Sequence, residues 1–178
     1  MARWRKARPR SLLNNDPLRE LLPNLFRLDR LPRLMKEGHL DAVAVSASSY
    51  TTGEHVTFYD SAKPIEPWAR SQRISVQDQL SVDHLMASSA IPFVFPAVPL
   101  SIGGRQHYFG DGAMRQAAPI SPAIHLGADR ILVIGAGRLH EPQTPREGSA
   151  EYPSLAQIAG HAMSSIFLDA LAVDIERM

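Results

Sequence analysis

The tripeptide Gly110-Asp111-Gly112 constrains this sequence more than any other feature, because it places an acidic side chain between two glycines. It follows the aromatic pair Tyr108-Phe109, and this pattern predicts a strand that ends in a tight turn. Glycine on both sides lets the backbone bend sharply and lets another group approach closely. A carboxylate at the end of a strand lies where α/β folds place their chemistry. Asp111 is therefore either a catalytic carboxylate or a turn residue that hydrogen-bonds its own backbone.

The first third of the sequence predicts short helices followed by a β-hairpin. Asp16-Pro17 is a typical helix start, and Pro23 predicts that this helix is short, kinked or broken. A second short helix is expected over residues 29–37. Residues 41–50 and the segment from Val56 onward are typical of two strands joined by a tight turn.

The remaining two thirds alternate between helical and extended patterns. Residues 75–90 are expected to be mainly helical, with Ser81 as the cap of the stretch from Val82 to Ala90. The three prolines within residues 91–100 exclude a helix and a central strand. A short strand over residues 106–109 leads into the glycine-flanked aspartate. Further elements are predicted as a helix over residues 122–126 that is closed by Gly127, the clearest strand of the chain over residues 129–137, and a long helix over residues 154–178. Alternating helices and strands indicate α/β layers.

Charge is distributed unevenly along the 178 residues. Residues 1–40 carry ten Lys and Arg against four Asp and Glu, a balance of +6, whereas the rest carries nine against fourteen, a balance of −5. Such a basic start could attract anionic lipid or nucleic acid, or it could be a solvated and poorly ordered terminus. Because no aromatic interleaving or nucleic-acid motif accompanies the charge, we expect no nucleic-acid partner.

Several site classes are excluded or disfavoured by the residues themselves. The sequence contains no cysteine, which excludes disulfides and thiolate chemistry, and its seven histidines show neither close spacing nor an H-E-x-x-H motif. We therefore expect no metal and no cofactor. No secretory signal and no transmembrane-length apolar run is visible, so we expect a cytoplasmic protein that can also contact membranes peripherally.

A serine nucleophile on a G-x-S-x-G elbow is absent, since no two of the eleven glycines are four residues apart. Serines do cluster at positions 46–49 and at Ser88-Ser89. The second pair lies at a predicted helix end, where small residues usually serve packing. We do not expect any of these serines to act as a nucleophile.

Ordered sequence blocks resemble the second half of a patatin-like phospholipase domain, over roughly residues 11–137. The hairpin stretch at residues 51–54 is also similar to that family. The blocks that carry the resemblance are Ala87-Ser88-Ser89-Ala90-Ile91-Pro92, Phe95-Pro96, Gly110-Asp111-Gly112-Ala113, Pro119 and Leu126-Gly127-Ala128-Asp129.

The resemblance implies a serine acyl hydrolase that cleaves lipid or phospholipid esters with a Ser-Asp dyad. The aspartate of the family's D-G-[GA] motif corresponds to Asp111, and Gly110, Gly112 and Ala113 would shape its surroundings. A carboxylate within hydrogen-bond reach of a serine can orient the hydroxyl and accept its proton. A glycine-rich loop of backbone N–H groups would stabilise the oxyanion.

Both the glycine-rich loop and the serine elbow are missing from these residues, although in the family they precede the matched part. We therefore expect residues 16–178 to form the C-terminal part of a patatin-like α/β domain. This would be a three-layer sheet with flanking helices, incomplete at its N-terminal side. Residues 1–15 would be a basic, poorly ordered segment.

On its own such a chain should be inactive, and it should oligomerise or retain a missing N-terminal half. The alternative is a non-catalytic patatin-like module that binds lipid or a protein partner.

Overall fold

The computed structural model describes residues 10–114, 120–134, 154, 157–158 and 160. The chain divides into two compact units, residues 1–115 and residues 116–178. The first unit holds all six described strands, and the second holds a short helix.

Two short helices open the first unit, as the sequence predicts. Helix α1 spans Asp16–Leu25, and Pro23 lies in its last turn. The backbone hydrogen bond that proline cannot donate is therefore missing only near the end of the helix. A 3-10 turn at Leu28–Arg30 leads into α2, which spans Leu31–Lys36. Gly38 follows with a φ of 74°, a left-handed conformation that glycine adopts readily and that ends the helix.

A six-stranded mixed sheet forms the body of the first unit, so the expected α/β class is confirmed. Its spatial order is β3-β4-β2-β1-β6-β5, and the β2–β4 pair is parallel whereas the other described neighbours are antiparallel. The strands are β1 (Ala42–Ser49), β2 (His55–Ser61), β3 (Ala69–Arg70), β4 (Arg73–Gln77), β5 (Val98–Ile102) and β6 (Arg105–Asp111).

The hairpin predicted from residues 41–50 and Val56 onward is confirmed as the antiparallel pair of β1 and β2. The proline-rich segment ends in β5, which is the last strand at one side of the sheet that the described residues form. Pro99 sits within β5, where the N–H it lacks can face away from the partner strand. The prediction that this segment cannot be a central strand is therefore confirmed.

One face of the sheet packs against helix α3, which spans Val82–Ser88. The ring of Phe58 on β2 meets Phe109 on β6 at 5.4 Å between centroids, and it meets His84 of α3 at 4.6 Å, both edge to face. Leu22 of α1 belongs to the same core. Apolar side chains at alternate strand positions thus bind the helices to the strand that carries Asp111.

Ser81 caps α3 together with His84. The backbone N–H of Ser81 donates to His84 Nδ1 at 3.1 Å, and the Ser81 hydroxyl lies 2.9 Å from the same nitrogen. The His84 side chain thus reaches back to the backbone N–H of the residue before the helix, as the Glu or Gln of a capping box does. The predicted cap at Ser81 is confirmed.

The expected helix over residues 75–90 is wrong at its start, because Ser75 lies inside β4. Residues 73–77 pair in parallel with β2, and Ile74 and Val76 are partly buried against the core. The Ser75 hydroxyl accepts the Trp68 N–H at 2.7 Å, which holds the strand to the preceding loop. Pairing with a distant strand outweighs the local helical pattern.

The expected strand over residues 129–137 is also wrong within the described residues. Helix α4 spans Ile120–His125, and Gly127 follows with a φ of 90°, as predicted for a helix closed by that glycine. Residues 131–134 have no regular structure, and Leu132 and Ile134 are 85% and 88% exposed. An apolar run indicates a buried strand only where a neighbouring strand pairs with it, and none of the six described strands does.

The rest of that strand, and nearly all of the long helix predicted over residues 154–178, lie outside the described residues. Within the described ranges, no helix has the length and apolar character needed to cross a bilayer.

Candidate active site around Asp111

Asp111 is the last residue of β6 and lies opposite Ala47 of β1. Its backbone N–H donates to the carbonyl of Ala90 at 2.9 Å, just beyond the end of α3. The register with β1 and this hydrogen bond fix the Asp111 backbone from two sides. The strand-end carboxylate predicted from the sequence is therefore held by the sheet and by the segment that follows α3.

The electrostatic surroundings of Asp111 favour its protonated form. Burial raises the pKa of the carboxyl group, and the hydrogen bond from the Ala113 N–H to Oδ1, at 2.8 Å, opposes this with a smaller lowering effect. A carboxylate with a raised pKa is a better proton acceptor than an exposed one. The same hydrogen bond is also what a turn-forming aspartate makes, so both interpretations of Asp111 remain compatible with its contacts.

The two glycines beside Asp111 are needed for close approach rather than for an unusual backbone angle. A Cβ atom on Gly110 would overlap the phenol of Tyr50, and one on Gly112 would overlap the backbone carbonyl of Ser46. Neither glycine has a left-handed φ. Of the two reasons that the sequence offered for these glycines, close approach is therefore the one that applies.

Tyr50 is a neighbour of Asp111 that the sequence analysis did not identify. It follows β1 directly, its N–H donates to the Tyr108 carbonyl at 2.8 Å, and its ring lies over Gly110. The pKa of Tyr50 is raised by burial and, to a smaller extent, by the negative charge of Asp111. Tyr50 and Asp111 are 61 positions apart in the sequence. Only knowledge of the β1–β6 pairing would have indicated that they are neighbours.

Three serines of the clusters named from the sequence have hydroxyls in local hydrogen bonds, whereas the buried hydroxyl of Ser48 has no hydrogen-bond partner among the described residues. The Ser89 hydroxyl donates to the Leu85 carbonyl at 2.8 Å, one helical turn back. The Ser49 hydroxyl accepts the Thr52 N–H at 3.1 Å, and the Ser46 hydroxyl lies 3.3 Å from that of Thr57. Among the described residues, no serine hydroxyl makes a hydrogen bond to Asp111.

Histidines do not gather into a metal centre in the part of the chain that the structure describes. No group of three His, Asp or Glu side chains suited to a metal ion occurs there. His39 approaches Glu37 at 3.8 Å, and His84 approaches Asp78 at 3.6 Å, as single pairs.

The mixed sheet, with a half-buried carboxylate at a strand end between two closely packed glycines, is typical of α/β proteins that carry a candidate catalytic carboxylate. The sequence model of the family described as Patatin-like phospholipase matches residues 2–124, more than two thirds of the chain. The chain therefore belongs to the patatin-like phospholipase family. Neither the comparison with curated proteins nor that with solved structures gave a match.

Proposed function

We propose that Asp111 is the general base of a Ser-Asp dyad in a lipid acyl hydrolase, and that the serine is supplied from outside these 178 residues. Family membership supports acyl hydrolysis of lipid substrates. The observation that carries the role of Asp111 is its position. It is a half-buried carboxylate with a raised pKa at the end of β6, tied to Ala90 and Ala113 by hydrogen bonds.

In the proposed reaction, the serine and the aspartate of the dyad come from two different polypeptide segments. The serine hydroxyl attacks the acyl carbonyl while Asp111 accepts its proton, and the ester C–O bond then breaks as Asp111 returns that proton to the departing alcohol. Water, deprotonated by Asp111, attacks the acyl-enzyme, which releases the fatty acid as the serine oxygen takes the proton back. Gly110 and Gly112 let Tyr50 and β1 pack tightly against the backbone on either side of Asp111, which restricts the movement of that backbone. Ala113 holds one carboxylate oxygen, so the other oxygen is the one available to a serine hydroxyl.

We further propose that residues 16–178 act as the C-terminal part of the catalytic domain, and that residues 1–15 form its basic leading segment. The protein would work in the cytoplasm, with a phospholipid or other acyl ester as substrate. The serine-bearing part would bind as a partner. The absence of any G-x-S-x-G in the sequence supports this division.

Covalent labelling of the nucleophile tests the proposal directly. A fluorophosphonate probe reacts only with an activated serine, which attacks phosphorus and expels fluoride. We expect no labelling of this chain alone, and labelling of a G-x-S-x-G segment of a patatin-like domain when this chain is added. The matched control is Asp129→Asn, since Asp129 is an exposed aspartate of the second unit.

Loss of labelling with Asp111→Asn, but not with the control, would agree with the proposal. Equal labelling with both variants would show that Asp111 is a turn residue rather than a base. Labelling of this chain by itself would show that the nucleophile lies within these residues.

A further inference from the structure

Tyr50 is attached to the strand that carries Asp111 by two hydrogen bonds. The Tyr50 N–H donates to the Tyr108 carbonyl at 2.8 Å, and the Tyr108 N–H donates to the Thr51 hydroxyl at 3.0 Å. These bonds continue the pairing of β1 with β6 beyond the end of β1. They place the Tyr50 ring against Gly110, where a Cβ atom would overlap the phenol.

The same side chain reaches the turn that follows Asp111. The Tyr50 hydroxyl donates to the sulfur of Met114 at 4.0 Å, and Met114 is the last residue of the 3-10 turn after β6. Tyr50 therefore contacts Gly110 before the candidate base and Met114 after it. A thioether is a weak acceptor, so this hydrogen bond alone gives little reason for a tyrosine at this position.

The Tyr50 phenol and the Asp111 carboxyl group are within electrostatic reach of each other. Burial raises the pKa of Tyr50, and the negative charge of Asp111 raises it further. Burial is also what raises the pKa of Asp111. A ring that contacts the chain on both sides of Asp111 contributes to that burial, because it occupies space that water would otherwise fill.

We propose that Tyr50 is a positioning residue for Asp111, which keeps water from one side of the candidate base and holds the end of β6 against the end of β1. Less water beside the carboxylate makes it a stronger proton acceptor for a serine hydroxyl. The catalytic meaning of this role rests on the proposed function. The effect of Tyr50 on Asp111 is a property of this chain alone and is measured without a serine partner.

Carboxyl-carbon NMR of the full chain, prepared with isotope-labelled aspartate, follows the titration of Asp111 directly. Tyr50→Ala removes the ring, whereas Tyr50→Phe keeps the ring and loses only the hydroxyl. The matched control is Phe26→Ala, which removes a ring that is 51% exposed, close to the 46% of Tyr50. Asp111→Asn identifies the Asp111 signal by its loss, and thermal unfolding of each variant verifies folding.

We expect Tyr50→Ala to move the Asp111 titration to lower pH, since water then reaches the carboxylate, and Tyr50→Phe and Phe26→Ala to leave it in place. A merely structural role of Tyr50 would lower the melting temperature without moving this titration. An Asp111 titration that Tyr50→Ala leaves in place, or that Phe26→Ala moves equally, would overturn the proposal.

The reciprocal measurement needs no substitution at Tyr50, so it tests the proposal even if Tyr50→Ala does not fold. Asp111→Asn should move the phenol titration of Tyr50, followed by NMR of labelled tyrosine, to lower pH, and the exposed-site control Asp129→Asn should not. A Tyr50 titration that Asp111→Asn leaves in place would overturn the proposal. Fluorophosphonate labelling that fails while both titrations move as expected would count against the dyad and not against the role of Tyr50.

Discussion

The close packing of Gly112 against β1 leads to a quantitative prediction for Gly112→Ala. The added methyl group would overlap the carbonyl oxygen and carbon of Ser46 and would approach the Ala47 nitrogen at 3.3 Å. These are backbone atoms of β1, which pairs with β2 on one side and β6 on the other. The strand can move only by disturbing its hydrogen bonds with both neighbours.

Gly110→Ala is an informative comparison with Gly112→Ala, because the added methyl group at position 110 would meet a side chain rather than backbone. The added methyl group would overlap the phenol of Tyr50, which is 46% exposed and can rotate toward solvent. Overpacking a well-packed site usually costs about 1–3 kcal/mol. We expect Gly112→Ala to fall at the upper end of that range and Gly110→Ala at the lower end.

Thermal and urea unfolding followed by circular dichroism would measure both costs. For a chain of this size each kcal/mol lowers the melting temperature by roughly 2–4 °C, so Gly112→Ala should lower it by roughly 5–10 °C. Removing the ring with Tyr50→Ala should rescue Gly110→Ala but not Gly112→Ala, as a double-mutant cycle would reveal. Gly160→Ala, where a Cβ meets no atom within 4 Å, is the control.

A melting temperature for Gly112→Ala equal to that of the control would refute the reasoning, because the carbonyl of Ser46 could not then be so close. Equal rescue of both alanine variants by Tyr50→Ala would likewise contradict the distinction between backbone and side-chain obstacles.

Three further predictions concern charge. Asp111→Asn should raise the melting temperature near pH 7 but not near pH 3, as pH-dependent unfolding would record. Burial raises the pKa of Asp111, so its stabilising contribution is complete below the unfolded value of about 3.9 and disappears as the pH rises through the folded-state value. Burial lowers the pKa of His84, so the wild type should lose stability as the pH falls below about 6.5. The variant His84→Gln should lose less stability over the same pH range, as measured by pH-dependent unfolding. Arg19→Gln should change the free energy of unfolding by less than about 1 kcal/mol in urea titrations, because Arg19 and its partner Asp83 are each about half exposed.

Local patterns predicted much of the fold from the sequence. The helix start at Asp16-Pro17, the β1–β2 hairpin and the cap at Ser81 each depend on residues close together in the chain. The strand at residues 73–77 could not be predicted in this way, because it exists through parallel pairing with β2. The strand predicted at residues 131–134 is wrong for the opposite reason. An apolar run forms a strand only beside a neighbouring strand, and the described sheet does not provide one.

The candidate site was predictable only in part for the same physical reason. The two glycines beside Asp111 indicate the candidate site in the sequence, and the aromatic residues before them predict that Asp111 ends a strand, here β6. Tyr50 and the carbonyl of Ser46 reach it across the sheet, so their involvement depends on the register of β1 against β6. A single sequence contains no direct signal for that register.

Ester hydrolysis tests the central claim, that Asp111 is the base of an acyl hydrolase whose serine lies elsewhere. The measurement is turnover of a p-nitrophenyl acyl ester by this chain, alone and together with a G-x-S-x-G segment of a patatin-like domain. The account predicts no turnover alone and turnover together, reduced roughly 10²–10⁴-fold by Asp111→Asn and unchanged by Asp129→Asn. Turnover by the chain alone that Asp111→Asn abolishes would contradict it, as would combined turnover that does not depend on Asp111.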